Sequence, residues 1–382
     1  MTTTEKWPGR IALMVAHCAG MVDLVALPVW VGTLISSYKF DPQQAGGLAT
    51  LFLLGAVVAS LFFAPRFNRI DRRMIAAGGF AISALAFAAA SFQTAFPIMA
   101  VCHAVAGLAA GSALSVTHGT IGRAANPHRL FAIVGLALGV FAIVFLGATP
   151  NLVATFGGAV LFRVFAGVMA IAAIVSILLF PLPDHARGTD FDIVHPKLSR
   201  AVWAGVIGVS LMALNQAMVF SFIERIGTDR GFGLEAVTGV LIALGFVNLF
   251  PAPLAAILET RIKPEKVVIG GPIIQAILAL IITIVAAFPA YAGGVAFYAA
   301  VMIFTHTFAF GLLSRLDPSG RALAATPAML MIGAAVGPII GGTLVKFSGY
   351  PALGIMAILV AVAAVASFSR ARLPANGVEL AE

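Results

Sequence analysis

The chain has 382 residues, of which 61% are hydrophobic and 10% are charged, whereas a soluble domain carries roughly 25% charged residues. A chain this apolar cannot cover a water-facing fold with polar surface, and it needs lipid as its surroundings. The net charge of +8 does not indicate nucleic-acid binding, because the basic residues lie in short segments between apolar runs. Cys18 and Cys102 both lie inside apolar runs, which argues against a disulfide framework.

Apolar runs of about 20 residues, the length that crosses a bilayer, recur along the whole chain. The first run follows the short polar segment MTTTEKWPGR. It is too long for the core of a signal peptide and lacks a convincing cleavage site, so we take it as a membrane span. We predict an all-α integral membrane protein with twelve transmembrane helices, near residues 11–36, 43–64, 74–95, 97–121, 130–150, 158–181, 201–224, 235–258, 267–289, 292–314, 322–345 and 349–369.

The loops between these spans differ in charge. Of the 23 lysines and arginines, 18 fall on the side of the N-terminus, 4 fall on the opposite side, and Arg163 lies within span 6. Positive residues accumulate in cytoplasmic loops. We therefore predict a multi-pass protein of the inner (cytoplasmic) membrane with both termini in the cytoplasm, acting as a monomer in the lipid bilayer.

The chain also shows signs of an internal duplication. Arg69-Ile70 is followed by Gly78-Gly79, and 192 positions later Arg261-Ile262 is followed by Gly270-Gly271. The longest polar connection lies at mid-chain. We predict two pseudo-symmetric six-helix halves, residues 1–182 and 200–382, joined by a cytoplasmic linker at 183–199.

Four segments carry a family resemblance over nearly the whole chain. The Asp and Ala-Leu-Pro of Asp23–Pro28 are similar to span 1 of drug–proton antiporters of the major facilitator superfamily. Phe63–Arg73 resembles that superfamily's basic loop between spans 2 and 3, His103–Gly111 resembles the start of its span 4, and Gly337–Gly342 resembles its span 11. The resemblance implies the twelve-helix fold of that superfamily, with a central cavity lined by spans 1, 4, 7 and 10.

The chain departs from the family pattern at two places. Pro65–Asn68 stands where the family usually has Asp-Arg-x-Gly, which leaves Asp71 as the acid that would take its place. Span 5 has Gly135 and Gly139 but lacks the Gly-Pro-x-x-Gly-Gly signature of antiporters. Uptake therefore stays open beside export.

Asp23 is the acid that we place near the middle of the bilayer. A lone carboxylate there is costly unless it faces a cavity or a partner, and ionisable residues inside membranes are usually functional. We therefore predict Asp23 as the proton-coupling residue. The alternative is an acid that hydrogen-bonds to a neighbouring helix and serves packing.

Four of the seven histidines fall within spans 1, 4 and 10, which the resemblance assigns to the cavity. His103 stands where the family often has Arg, and it can exchange a proton near neutral pH, so we predict it as a second coupling residue. His118 lies near the cytoplasmic end of span 4 and is predicted to be structural or interfacial. The predicted substrate-binding residues are His17, His103, Asn215, Gln216, Phe304, His306 and Phe308.

Four arginines follow span 2. We predict that Arg66, Arg69, Arg72 and Arg73 gate the transporter by holding the cytoplasmic ends of the first half together, through ion pairs or the carbonyls at helix C-termini.

Three histidines have a methionine four residues away, on the same helix face. Sulfur together with imidazole suits copper. The alternative to an organic substrate is therefore a copper or other transition-metal site drawn from His17, Met21, Met99, Cys102, His103, Met302 and His306.

The sequence contains no nucleotide-binding loop, zinc-protease motif or hydrolase elbow, so we expect neither an enzyme nor an ATP-driven pump. We predict a proton-coupled secondary transporter that moves a small polar or anionic organic solute by alternating access. Its energy source would be the proton gradient, with no cofactor. The alternatives are metal uptake and drug-type proton antiport.

Overall fold

A computed structural model describes residues 3–181, 198–317 and 326–371. The predicted linker at 183–199 lies outside these residues except for Leu198 and Ser199. Within the described ranges the chain is helical. The α-helices are Trp7–Gly20, Val22–Ser36, Pro42–Phe63, Arg72–Ala90, Phe96–Gly122, Pro127–Phe156, Ala159–Leu179, Arg200–Phe220, Ile223–Asp229, Leu234–Val247, Pro251–Leu258, Pro264–Ile284, Phe288–Leu316, Thr326–Ser348 and Pro351–Phe368, and a 3₁₀ helix runs over Ala64–Arg69.

Twelve helical segments of the described chain are long and apolar enough to cross a membrane, which confirms the predicted number. Spans 3 and 9 end at Ala90 and Ile284, each five residues earlier than predicted. The segments that follow, residues 91–95 and 285–287, precede Pro97 and Pro289, which lie at the start of the next helix. Because a residue before proline avoids the helical conformation, the helices end before these prolines.

Three spans consist of two helices in succession. Span 1 breaks at Met21, whose φ of −105° and ψ of 15° are not helical. Span 7 breaks after Phe220, and span 8 breaks between Val247 and Pro251. Broken helices often lie beside the binding sites of secondary transporters, because irregular backbone at membrane depth must line a cavity or be covered by protein.

Four pairs of corresponding helices in the two halves begin at a constant spacing. The starting residues 42 and 234, 72 and 264, 96 and 288, and 159 and 351 all differ by 192 positions. We call positions separated by 192 residues equivalent. This spacing agrees with two pseudo-symmetric halves of six helices each.

The halves meet most closely on the side of the bundle opposite to the chain termini, which we call the far side. Span 2 packs along span 11, where a Cβ added at Gly46 would overlap the carbonyl oxygen of Pro338, and one at Gly342 would overlap that of Pro42. Glycine therefore allows backbone-to-backbone approach of the two halves, as small residues do between membrane helices.

Polar side chains reinforce this contact. Lys346 Nζ lies 2.9 Å from Asp41 Oδ2 and 3.1 Å from Gln43 Oε1, and Gln43 Nε2 donates to Thr343 Oγ1 at 3.2 Å. Asp41 also caps the helix of span 2 by accepting from the Gln44 backbone N–H at 2.9 Å. We call Asp41, Gln43, Thr343 and Lys346 the far-side seal.

Candidate functional site

The middle of span 1 carries a buried carboxyl group. Asp23 lies two residues after the break at Met21 and is 3% exposed, and its Oδ1 has no hydrogen-bond partner among the described residues. A buried carboxylate without a partner is unfavourable, whereas a protonated carboxyl is tolerated more easily. Asp23 therefore places a titratable group with one unpaired oxygen inside span 1.

The middle of span 7 carries the counterpart of Asp23. Asn215 is its equivalent position and is 1% exposed. Asn215 Nδ2 lies 3.4 Å from Gln275 Oε1 of span 9, and Gln275 Nε2 donates to Gln216 Oε1 at 3.1 Å. Tyr298 of span 10 donates its hydroxyl to the Asn215 carbonyl oxygen at 2.9 Å. We call Asn215, Gln216 and Gln275 the amide cluster.

The amide cluster retains hydrogen-bonding capacity. Asn215 Oδ1 is buried without a partner among the described residues, and the Gln216 side chain is half-buried. An amide offers two donors and an acceptor with two lone pairs. The cluster therefore keeps an unused acceptor on Asn215 and a partly accessible amide on Gln216.

His103 lies inside the first half, enclosed by aromatic rings. It is fully buried and contacts Trp30, Phe87 and Phe162 with ring centroids 5.4 to 6.2 Å away. Its Nδ1 lies 2.6 Å from the Met99 carbonyl oxygen, and its Nε2 accepts the Trp30 indole N–H at 3.2 Å. Because a carbonyl can only accept, Nδ1 carries the proton, and both ring nitrogens are engaged within the half. Its predicted contact with substrate or protons stays a prediction.

His17 pairs with His118 across spans 1 and 4. Their Nδ1 and Nε2 atoms lie 3.1 Å apart and their rings are tilted, with centroids 5.2 Å apart. One imidazole must donate and the other must accept, so the pair holds a proton between two helices. The predicted substrate ligand His17 and the predicted structural residue His118 thus form one unit.

The residues predicted around His306 lie on two faces of span 10. The His306 ring contacts Phe310 at 5.0 Å between centroids, while Phe304 contacts Phe308 at 5.1 Å. Phe304 lines an apolar cavity of about 600 Å³ between spans 8, 9 and 10, and His306 Nδ1 is buried without a partner among the described residues. The structure therefore does not gather His306, Phe304 and Phe308 into one pocket, since positions two apart on a helix point in nearly opposite directions.

The residues of the alternative metal reading do not form one cluster. In the part of the chain that the structure describes, no group of three or more His, Cys, Asp or Glu side chains is arranged to hold a metal ion. His17 pairs with His118, and His103 Nδ1 binds the backbone of Met99 rather than facing its sulfur. Copper transport gains no support from this geometry.

The basic segment after span 2 binds helix ends and aromatic rings. Arg73 donates from Nε to the Ile177 carbonyl oxygen at 2.6 Å and from Nη2 to that of Leu178 at 2.8 Å, at the C-terminus of span 6. Arg66 donates to the Phe62 carbonyl oxygen at 2.8 Å. Arg73 therefore makes the predicted type of contact with helix carbonyls, while the gating role of Arg66, Arg69, Arg72 and Arg73 stays a prediction.

Phe67 replaces part of the charge pairing expected in this segment. The guanidinium carbons of Arg72 and Arg123 lie 4.5 and 4.0 Å from its ring centroid, and Arg123 donates to Asn68 Oδ1 at 2.7 Å. Asp71 instead caps span 3 by accepting from the Met74 backbone N–H at 3.1 Å. The suggestion that Asp71 substitutes for the missing acid stays a prediction.

Comparisons with known proteins decide the family. The sequence profile described as Major Facilitator Superfamily matches residues 12–319. The chain belongs to the Major Facilitator Superfamily. A purine ribonucleoside efflux pump, NepI, of Shigella dysenteriae serotype 1 is 25% identical over 362 residues, covering 89% of this chain and 88% of its own. NepI of Escherichia coli (strain K12) is 26% identical over 296 residues, covering 74% and 72%.

Solved structures show the same fold. The D-xylose-proton symporter aligns with a TM-score of 0.74 at 16% identity and covers 95% of this chain and 96% of its own. The nucleoside transporter NupG aligns with a TM-score of 0.70 at 14% identity and covers 98% and 100%. At identities this low, the structural similarity shows that this protein shares their fold.

Three polar residues of this transporter lie outside the sequence-based selection. Gln275 belongs to the amide cluster, and Tyr298 donates to the Asn215 backbone carbonyl oxygen. Glu224 lies within span 7 rather than at its end, because the helical segment continues to Asp229. Gln275 was detectable as a lone amide in the apolar run PIIQAIL. It falls in span 9, outside the four spans that the resemblance assigns to the cavity.

Proposed function

We propose that this protein is a proton-coupled secondary transporter that exports purine ribonucleosides or closely similar neutral solutes in exchange for protons. The likeness to purine ribonucleoside efflux pumps over most of both chains carries the proposal. It makes a neutral polar solute a better candidate than an organic anion. It also favours export over uptake.

The chemistry of the amide cluster supports this substrate class. A purine base presents donors and acceptors along its edges, and asparagine and glutamine side chains can pair with such edges through two hydrogen bonds. The unpartnered Oδ1 of Asn215 and the half-buried Gln216 supply these groups. Rejection of analogues that lack the polar groups would follow, because buried amides would then be left unpaired.

Asp23 and the far-side seal support coupling to protons by alternating access. Asp23 lies at the level of its equivalent Asn215, so a proton and a solute would bind at similar depth in opposite halves. With the termini in the cytoplasm, a conformation held by Asp41, Gln43, Thr343 and Lys346 is closed to the outside. Rocking of the halves would expose the site to the other side.

Binding of radiolabelled purine ribonucleosides to the purified protein in nanodiscs tests the substrate. We expect saturable binding that Gln216→Ala weakens about tenfold, the effect of losing roughly 1.4 kcal/mol of hydrogen bonding. The matched control is Asn151→Ala, which removes an exposed amide on span 5 and should leave binding unchanged. Absence of ribonucleoside binding, with saturable binding of organic anions or copper instead, would overturn the proposal.

A further inference from the structure

A second carboxyl group lies between the two halves, close to the far-side seal. Glu224 belongs to the second helix of span 7, Ile223–Asp229, and it faces span 1 at Gly32. A Cβ added at Gly32 would overlap Glu224 Oε2. The carboxyl of one half therefore lies directly against the backbone of the other half.

The hydrogen bonds of this carboxyl are incomplete. Oε2 is buried and has no partner among the described residues. Oε1 lies 3.1 Å from Thr228 Oγ1, which also lies 3.0 Å from the Glu224 backbone carbonyl oxygen. Thr228 has one hydroxyl proton. If that proton goes to the carbonyl, a protonated carboxyl can donate its own proton to Thr228 Oγ1 and complete the arrangement.

The charged and titratable groups around Glu224 have other partners. Arg225 forms an ion pair with Asp229 at 2.6 Å, and Asp229 also accepts from the Tyr350 hydroxyl. Arg230 donates to the Ile282 carbonyl oxygen at 2.8 Å, and Tyr291 donates to the Ile223 carbonyl oxygen at 2.7 Å.

Span 1 presents glycine to the carboxyl, and no described cation forms an ion pair with Glu224. An ionised carboxylate would thus lie at the interface with its Oε2 atom buried and unpaired, while Oε1 would have only the Thr228 hydroxyl as a partner and Arg225, paired with Asp229, as a nearby cation.

The neighbouring acid of the seal behaves differently. Partial burial raises the pKa of Asp41, but the Gln44 backbone N–H and the Lys346 ammonium group lower it more, so the net pKa lies below the ordinary value of 3.8. A lowered pKa means that Asp41 stays ionised, and paired with Lys346, until the pH falls below that range. The ion pair of the seal therefore does not respond to pH near neutrality.

We propose that Glu224 is a second protonation site of the transport cycle, which takes up a proton from far-side water when the far-side ends of spans 1 and 7 close. The carboxylate becomes a carboxylic acid on closing, and the same proton returns to far-side water when the halves part. This inference rests on the proposed proton coupling. It adds a site whose protonation depends on whether the far-side ends of spans 1 and 7 are closed. Asp23 would carry the transported proton, and Glu224 would link far-side closure to pH.

The distance between the halves on the far side tests this without any substrate. Thr94 and Ala286 are equivalent, exposed residues in far-side turns outside the seal. Spin labels at Thr94→Cys and Ala286→Cys, in a Cys18→Ser and Cys102→Ser background in nanodiscs, would report the closed and open populations by pulsed electron paramagnetic resonance. We expect the closed-to-open ratio to rise as the pH falls, by at most about tenfold per pH unit for one linked proton.

Two variants and two controls make the result specific. Glu224→Gln keeps the shape but cannot ionise, so it should stay closed with no pH dependence. Gly32→Ala places a methyl group where Oε2 lies, so the flexible carboxyl side chain must move and the pH response should change. Glu235→Gln, an exposed acid of the same side, and Gly239→Ala, which has open space at its Cβ position, should both behave as the parent protein.

An unchanged pH response in Glu224→Gln would overturn the inference. A parent protein whose closed-to-open ratio does not depend on pH would also overturn it. Neither result touches the ribonucleoside-binding experiment, which would succeed or fail separately. Conversely, if Glu224→Gln abolishes the pH response and the control variants keep it, the inference about Glu224 holds even if ribonucleosides do not bind.

Discussion

At the scale of single residues, the duplicated sequence places different chemistry at equivalent positions. Asp23 in span 1 corresponds to Asn215 in span 7, and both are nearly fully buried. The two side chains have the same shape, but only the aspartate can exchange a proton. In the proposed function, the first half would bind the proton and the second half would offer neutral hydrogen-bonding groups.

The Asp23→Asn variant tests this division. Asparagine keeps the shape and cannot titrate, so we expect loss of proton-driven accumulation while exchange of solute across the membrane continues. The measurement compares solute accumulation under an imposed pH gradient in proteoliposomes with counterflow at equal pH. Glu259→Gln, which neutralises an exposed acid, is the control and should accumulate solute normally. If Asp23→Asn still concentrates solute against its gradient, coupling does not depend on Asp23.

Individual site residues were only partly predictable from sequence. Asp23, Asn215 and Gln216 stand out because polar groups are rare inside apolar runs. The surroundings of His103 do not stand out, because Trp30, Phe87 and Phe162 come from three other spans and meet it only in the folded bundle. Its engagement of both ring nitrogens is a tertiary property that the spacing of residues along one helix cannot reveal.

At the scale of helices, the described ends of spans 3 and 6 are joined by one side chain. The last carbonyl groups of a helix have no partner within it. Arg73, at the start of span 3, donates to two of them at the C-terminus of span 6. This contact ties two spans of the first half together on the side of the termini.

The pair Arg73→Gln and Arg69→Gln tests that contact. Each variant removes one positive charge from the same segment, so their effects on membrane orientation are matched. We expect Arg73→Gln to destabilise the protein by about 1 kcal/mol, the typical net contribution of a hydrogen bond, because the acceptors are exposed to solvent or lipid, and Arg69→Gln to be nearly neutral. Thermal unfolding in detergent checks this, and equal melting temperatures for the two variants would contradict a specific role of Arg73.

Helix positions were largely predictable, whereas helix irregularities were not. Length and hydropathy place the spans because the bilayer demands about 20 apolar residues from each. The break at Met21 was not predicted, although Gly20 precedes it and Pro28 lies in the helix that follows. The turns before Pro97 and Pro289 were assigned to spans because they contain apolar residues, such as Phe92 and Val285, although these residues are exposed.

At the scale of the molecule, the two halves are joined on the far side by the seal and by the close approach of spans 2 and 11. A family resemblance and a charge count suffice to predict two halves in a membrane, because both depend on properties repeated over the whole chain. The conformation in which the halves meet depends on a few side chains, such as Asp41 and Lys346. Sequence patterns therefore could not predict this conformation.

The orientation of this assembly is testable by cysteine labelling. Thr94 lies in a turn on the far side and Glu259 lies at the end of span 8 on the side of the termini, and both are exposed. In the Cys18→Ser and Cys102→Ser background, we expect a membrane-impermeant maleimide to label Thr94→Cys in intact cells and Glu259→Cys only after the membrane is permeabilised. The unsubstituted background should stay unlabelled, and the reverse pattern would place the termini outside.

Gly32 and Glu224 are themselves equivalent positions, and they contact each other. Two copies of one sequence position can touch only near the axis that relates the halves, so this contact locates that axis. An ancestor with identical halves would have faced a steric rule there: two glutamates would collide and repel, and two glycines would leave a gap. Divergence into one large and one absent side chain resolves both problems, so the loss of sequence identity between the halves is itself a packing requirement at this point.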